Sequence, residues 1–243
     1  MQDPVLIVGA SGTIGGAVAR RLKAEKRAVV LHGGTDSDRL LSLGRDLNSP
    51  TVSGDLSDVE TVAAIAARED LGMDRLSGIV FAAARPFPHK LTLRTDWTVF
   101  QDQIDSQLKA LHTISTGLIP AMKNRPGGAR IVVLSTEYVL GMPPQKIAPY
   151  AAAKAALTAY AKVLAQEVLK HDIRVHILAP GMVPSALTAD MPDEYLAQVA
   201  DGMPEKRLTA AEDVADVCSF LLRPAGDTLY GTVVPVSRAP RRV

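Results

Sequence analysis

The sequence predicts an α/β fold: a doubly wound parallel sheet with helices on both faces, formed as one domain over residues 1–243. Three observations point there. Short β-branched runs alternate with longer segments whose apolar residues recur every three or four positions, the rhythm of strand, crossover helix, strand. The runs "VLIV" from Val5 and "IVVL" from Ile131 are continuously apolar rather than alternating, as strands buried on both faces are. A glycine-rich turn joins the first run directly to the first helical segment, and 47% hydrophobic residues is ample for a large core.

In chain order the strand candidates are "VLIVG" from Val5, "AVVLHG" from Ala28, "SGIVFAA" from Ser77, "ARIVVLS" from Ala129, "IRVHILAPG" from Ile173 and "GTVVPVS" from Gly231. Amphipathic segments such as "IGGAVARRLKAEK" from Ile14 and "DVETVAAIAARED" from Asp58 read as the crossover helices between them. The long irregular stretch is 183–205, with three prolines and a short helical pattern after Asp193; it reads as a lid. No repeat, low-complexity linker or compositional shift marks a boundary.

Charge and cysteine content narrow the function classes. Lys and Arg number 27 against 26 Asp and Glu, so no general attraction to nucleic acid or anionic membrane is expected, and Arg241 with Arg242 is too short a basic run to change that. Cys218 is the one cysteine and has core neighbours; it fits a reducing compartment. The N-terminal apolar run is only a strand long, so neither a signal peptide nor a membrane span is expected, and the location expected is cytoplasmic. His32, His89, His112, His171 and His176 have no metal-ligand spacing, and no metal site is expected.

The turn "VGASGTIGG" spaces Gly9, Gly12 and Gly15 by three ahead of a helix. Glycines there allow a tight turn and close backbone approach to a pyrophosphate, which the amides at the helix N-terminus would meet. The second strand ends "LHGGTDSDRL", with no acid where a ribose diol of NAD would ordinarily find one. Asp36 reads as the N-cap of the next helix or as a ribose contact, and Arg39 or His32 could meet a 2′-phosphate, which tilts the expectation slightly to NADP(H) over NAD(H). In "APYAAAKAALTAY" Tyr150 stands one helical turn ahead of Lys154, close enough for a phenol and an ammonium to sit side by side.

The glycine turn and the Tyr150–Lys154 pair together resemble the short-chain dehydrogenase/reductase family. Further likenesses follow in the family's order: "GDL" at Gly54 to Leu56, "PAMK" from Pro120, "RIVVLST" from Arg130, "IRVHILAPGMVPS" from Ile173 and "RLTAAEDVADVCSFLL" from Arg207. The resemblance implies a Rossmann fold and NAD(P)-dependent hydride transfer between a carbonyl and a hydroxyl on a small molecule, in a homodimer or homotetramer. It implies that Tyr150 is the acid/base, that Lys154 lowers the phenol's pKa and binds the nicotinamide ribose, and that Thr136 or Ser135 orients the substrate. The implied cofactor contacts are Gly9, Ser11, Gly12, Thr13, Ile14, Gly15, Asp55, Leu56, Ala82, Ala83, Pro180, Gly181, Val183 and Ser185, with Tyr150 and Lys154; Ser185 could equally cap the lid.

The pattern departs from the family at four places. Thr13 stands at the middle glycine. Phe81-Ala82-Ala83-Ala84 replaces Asn-Asn-Ala-Gly. Gln107 replaces the helix asparagine that holds a water in the proton relay, and Ser237-Arg238-Ala239 replaces Asp-Gly-Gly near the C-terminus, where subunits usually touch. Two rival functions stay open: a dinucleotide-binding sensor or subunit with little catalysis, and an epimerase or dehydratase on the same fold.

Overall fold

A computed structural model describes residues 3–237; Arg238, Ala239, Arg241 and Arg242 lie outside the described residues. Seven parallel strands form one sheet in the order β3-β2-β1-β4-β5-β6-β7. They are β1 (Val5–Val8), β2 (Val29–Gly33), β3 (Thr51–Ser53), β4 (Gly78–Phe81), β5 (Ala129–Leu134), β6 (Ile173–Pro180) and β7 (Val233–Val236). The sequence predicts six of these. β3 is the addition, a three-residue edge strand in which only Val52 is buried, too short to leave an apolar run.

Period-two geometry sends successive side chains to opposite faces. Leu6 and Val8 therefore join one core with Val30, Phe81, Ile131 and Val175, while Val5 and Ile7 join the other with Leu31, Val80, Val132 and Leu178. On the first face lie α3 (Val59–Ala66), α5 (Ala110–Met122) and α6 (Ala148–Val168); on the second lie α1 (Thr13–Ala24), α2 (Asp38–Asp46) and α8 (Ala211–Leu221). α4 (Trp97–Ile104) runs into α5 through a π-helical turn at Asp105–Lys109, and the short α7 (Asp193–Asp201) follows the irregular segment after β6.

Local chemistry sets the helix ends. The Ser37 hydroxyl accepts from the Leu40 amide at 3.3 Å, so Ser37, not Asp36, caps α2; a serine one residue later already has extended backbone and the reach to that amide. Asp58 caps α3 through the Thr61 amide at 3.1 Å, and the Asp213 carboxylate accepts from the Ala210 amide at 2.9 Å at the head of α8. Pro149 sits in the first turn of α6, where its missing N–H has no partner to lose. Among the described residues no helix is long and apolar enough to cross a membrane.

Because all strands are parallel, their C-terminal ends share one edge. The glycine turn leaves β1 there, Ala82 leaves β4, Ser135 leaves β5 and Gly181 leaves β6. Ligands of open α/β sheets bind along this edge.

Candidate active site

Two recesses open along the C-terminal edge of the sheet and meet at Ala82 and Ala84. The first is lined by Gly9, Ser11, Gly12, Asp55, Leu56 and Ala83, with Arg39 at its border. Gly9 has φ +78°, a conformation that favours glycine, and a Cβ there would stand 3.0 Å from the Ala82 and Ala83 backbones. A Cβ on Gly15 would stand 2.2 Å from the Gly9 carbonyl oxygen, so this glycine lets α1 pack against the turn. No side chain caps α1 at Gly12, which leaves its first amides available to an anion. Such a cradle of bare backbone at a helix N-terminus, continuous with the second recess, fits a dinucleotide.

His32 borders this recess but is buried, and its Nε2–H donates to the Gly54 carbonyl at 3.0 Å. Burial pulls its pKa down to about 4, so near neutrality it carries no charge for a 2′-phosphate; of the two cations the sequence offers, Arg39 remains. Asp55 is already engaged. Its carboxylate accepts from the Ser57 amide at 2.9 Å and from Arg85 Nη2 at 3.1 Å, and Arg85 Nη1 reaches Asp102 at 2.7 Å. Arg85 thus bridges the segment after β3 to α4 across the mouth of the recess.

The second recess is lined by Ile14, Ser135, Thr136, Tyr150, Lys154, Pro180, Gly181, Val183 and Ser185, which the sequence nominates, and by Phe87 and His89. Tyr150 and Thr136 line the same recess, and Lys154 Nζ lies 5.7 Å from the Tyr150 ring centre. The neighbouring hydroxyl does something else: Ser135 Oγ and Thr158 Oγ1 are 2.5 Å apart, and Thr158 Oγ1 donates to the Lys154 carbonyl, tying the end of β5 to α6. Ser185 Oγ accepts from the Leu187 amide at 3.3 Å and stabilises a turn at 185–188 rather than capping α7.

Electrostatics here run against expectation. Burial pushes the Tyr150 phenol up to about 12, only partly offset by the Thr136 side chain, whereas a neighbouring cation would lower it. Burial acts on the lysine as well. Lys154 Nζ donates to the Leu134 carbonyl at 2.6 Å, and burial draws its own pKa down to about 7.

Thr13, Gly15 and Gln107 line neither recess. Gln107 is fully buried in the π-helical turn, which packs against α6. Its Nε2 donates to Gln103 Oε1 at 2.9 Å, and Gln103 Nε2 donates to the Arg85 carbonyl at 3.2 Å, while Gln107 Oε1 is buried without a protein partner. The sequence reading missed Gln103, Arg85 and Phe87. Gln103 alone left a signal, its i, i+4 spacing from Gln107 on one helix; the others meet the site from distant parts of the chain. No group of three or more metal-ligating side chains assembles among the described residues.

Comparisons with known proteins identify the family. A family model described as enoyl-(acyl carrier protein) reductase matches residues 9–238. The chain is 31% identical over 234 residues to the 3-oxoacyl-[acyl-carrier-protein] reductase FabG of Rickettsia bellii, covering 96% of this chain and 94% of that protein. It is 29% identical to dehydrogenase/reductase SDR family member 4 of Oryctolagus cuniculus, over 100% of this chain and 96% of the relative. Among solved structures, L-sorbose reductase of Gluconobacter frateurii, complexed with NADPH and L-sorbose, superposes with a TM-score of 0.87 at 26% identity, covering 98% and 96% of the two chains. The chain belongs to the short-chain dehydrogenase/reductase family of oxidoreductases.

Proposed function

We propose that the protein catalyses NAD(P)-dependent hydride transfer between a carbonyl and a hydroxyl, with Tyr150 as acid/base. The observation that carries this reading is the meeting of Tyr150, Thr136 and Lys154 on the lining of a recess that shares Ala82 and Ala84 with the glycine cradle. A bound nicotinamide cofactor supplies or accepts the hydride. In reduction the Tyr150 phenol gives its proton to the substrate oxygen, and the Thr136 hydroxyl donates a second hydrogen bond that fixes that oxygen. A phenol raised to about 12 is a weak acid but holds its proton at neutral pH, the state reduction requires. Lys154, buried beside the phenol, is placed for the ribose and for stabilising a phenolate once its ammonium turns from the Leu134 carbonyl. Arg39 is the cation for a 2′-phosphate, and the NADPH of the Gluconobacter enzyme supports the same preference. Segment 183–205 serves as the lid.

Purified protein with NADPH or NADH and a carbonyl panel, followed by loss of reduced-nicotinamide absorbance, tests this. Tyr150→Phe is expected to lower kcat/KM by about 10²–10⁴-fold while cofactor affinity stays within about twofold. Undiminished activity in that variant removes Tyr150 from the acid/base role; cofactor binding without turnover on any substrate favours a sensor.

A further inference from the structure

The recess beside Tyr150 mixes a few hydroxyls with a largely apolar lining. Phe87 is 8% exposed and stacks on the Tyr150 ring, with centroids 5.3 Å apart and planes at 10°. His89 tilts against Phe87 at 4.9 Å. Met182, Leu187 and Met191 face them from the segment after β6. No aspartate, glutamate or arginine lines this recess, and its one lysine, Lys154, donates to the Leu134 carbonyl.

Three of the hydroxyls already have protein partners. Thr188 Oγ1 accepts from the Ser185 amide at 2.9 Å and donates to the Ser185 carbonyl at 3.0 Å, Ser185 Oγ holds the Leu187 amide, and Ser135 holds Thr158. A carboxylate or phosphate entering here would be desolvated with no arginine to meet it and with Lys154 Nζ turned to the Leu134 carbonyl, and a run of hydroxyls would exchange water for few partners. Hydrocarbon suffers neither penalty.

We propose that the substrate is an uncharged, lipophilic ketone or the matching secondary alcohol, held by hydrocarbon contact with only its reacting oxygen hydrogen-bonded. The proposal rests on the reading that Tyr150 and Thr136 receive that oxygen.

The test pairs turnover with binding. With NADPH, size-matched alkyl and aryl ketones are expected to exceed 2-oxo acids and ketoses in kcat/KM by about 100-fold or more, because several polar groups of the latter would go unpaired. Titration of the NADP⁺-loaded protein with a series of secondary alkanols is expected to tighten binding about 4-fold per added methylene until the recess fills. Met191→Lys is expected to raise turnover of 2-oxo acids relative to neutral ketones by about 10-fold, by supplying the missing counter-charge. Preference of the unaltered protein for oxo acids or ketoses, or alcohol affinity independent of chain length, overturns the proposal. Alkanol binding that tightens with length but no turnover of any carbonyl upholds the apolar recess and sinks the hydride-transfer reading instead.

Discussion

Lys154 is the residue whose environment makes the sharpest solution prediction. Its pKa is about 7 in the folded chain and near the ordinary lysine value of about 10.4 in the unfolded one, so between those values the unfolded state binds more protons. Stability contributed by this group therefore rises as pH increases from about 7 towards 10. The Tyr150 shift has the opposite effect only above about 10, where the unfolded phenol ionises first. The difference in unfolding free energy between the unaltered protein and Lys154→Met, measured by denaturant titration, is expected to move in favour of the lysine over pH 7–10; a flat difference contradicts a folded-state value near 7. Arg39 makes a separate prediction. It is exposed at the border of the glycine recess, so Arg39→Ala should weaken NADPH binding by about 10-fold and leave NADH binding nearly unchanged, as a fluorescence titration with each cofactor would show.

Among elements, the turn from β1 into α1 tolerates least. Gly15→Ala places a methyl 2.2 Å from the Gly9 carbonyl oxygen, and the backbone must move apart. The expected cost is about 1–3 kcal/mol of stability together with loss of measurable cofactor binding, against little change for alanine at Gly34, where a Cβ meets nothing within 4 Å. Calorimetry and cofactor titration of the two variants check this. That turn was readable in the sequence because its glycines are adjacent to a strand and a helix whose periods are plain. So were Tyr150 and Lys154, which share one helix. β3 was not readable, since three residues with one buried side chain carry no period. Nor was the π-helical turn that buries Gln107, because one extra residue in a helix leaves the hydrophobic pattern almost unaltered. The Phe87–Tyr150 stack and the Arg85 bridges join positions far apart in the chain, and spacing along a sequence is silent about those. Helix spacing put Lys154 near the Tyr150 ring but could not show that its Nζ donates to the Leu134 carbonyl.

At the scale of the whole molecule, the two edges of the sheet have different duties. The edge where strands end carries both recesses, while the edge where they begin is fastened by ion pairs: Asp3 with Arg75 and Arg125 near β1, and Arg130 at the start of β5 with Asp227 through two bonds of 2.7 and 2.8 Å. Arg130→Met strands a partly buried Asp227, and is expected to lower Tm by about 4–8 °C, from a loss of about 2 kcal/mol, with cofactor affinity unchanged. Scanning calorimetry and cofactor titration on one preparation read both; a fall in affinity equal to the fall in stability would contradict the separation. The strand order also has a consequence in time. β1 leaves the ribosome first yet occupies the middle of the sheet, with β2 on one side and β4, which begins at Gly78, on the other. Until β4 has been synthesised, β1 has one edge with no neighbour to pair with, and β5, β6 and β7 then add outward from β4 in turn.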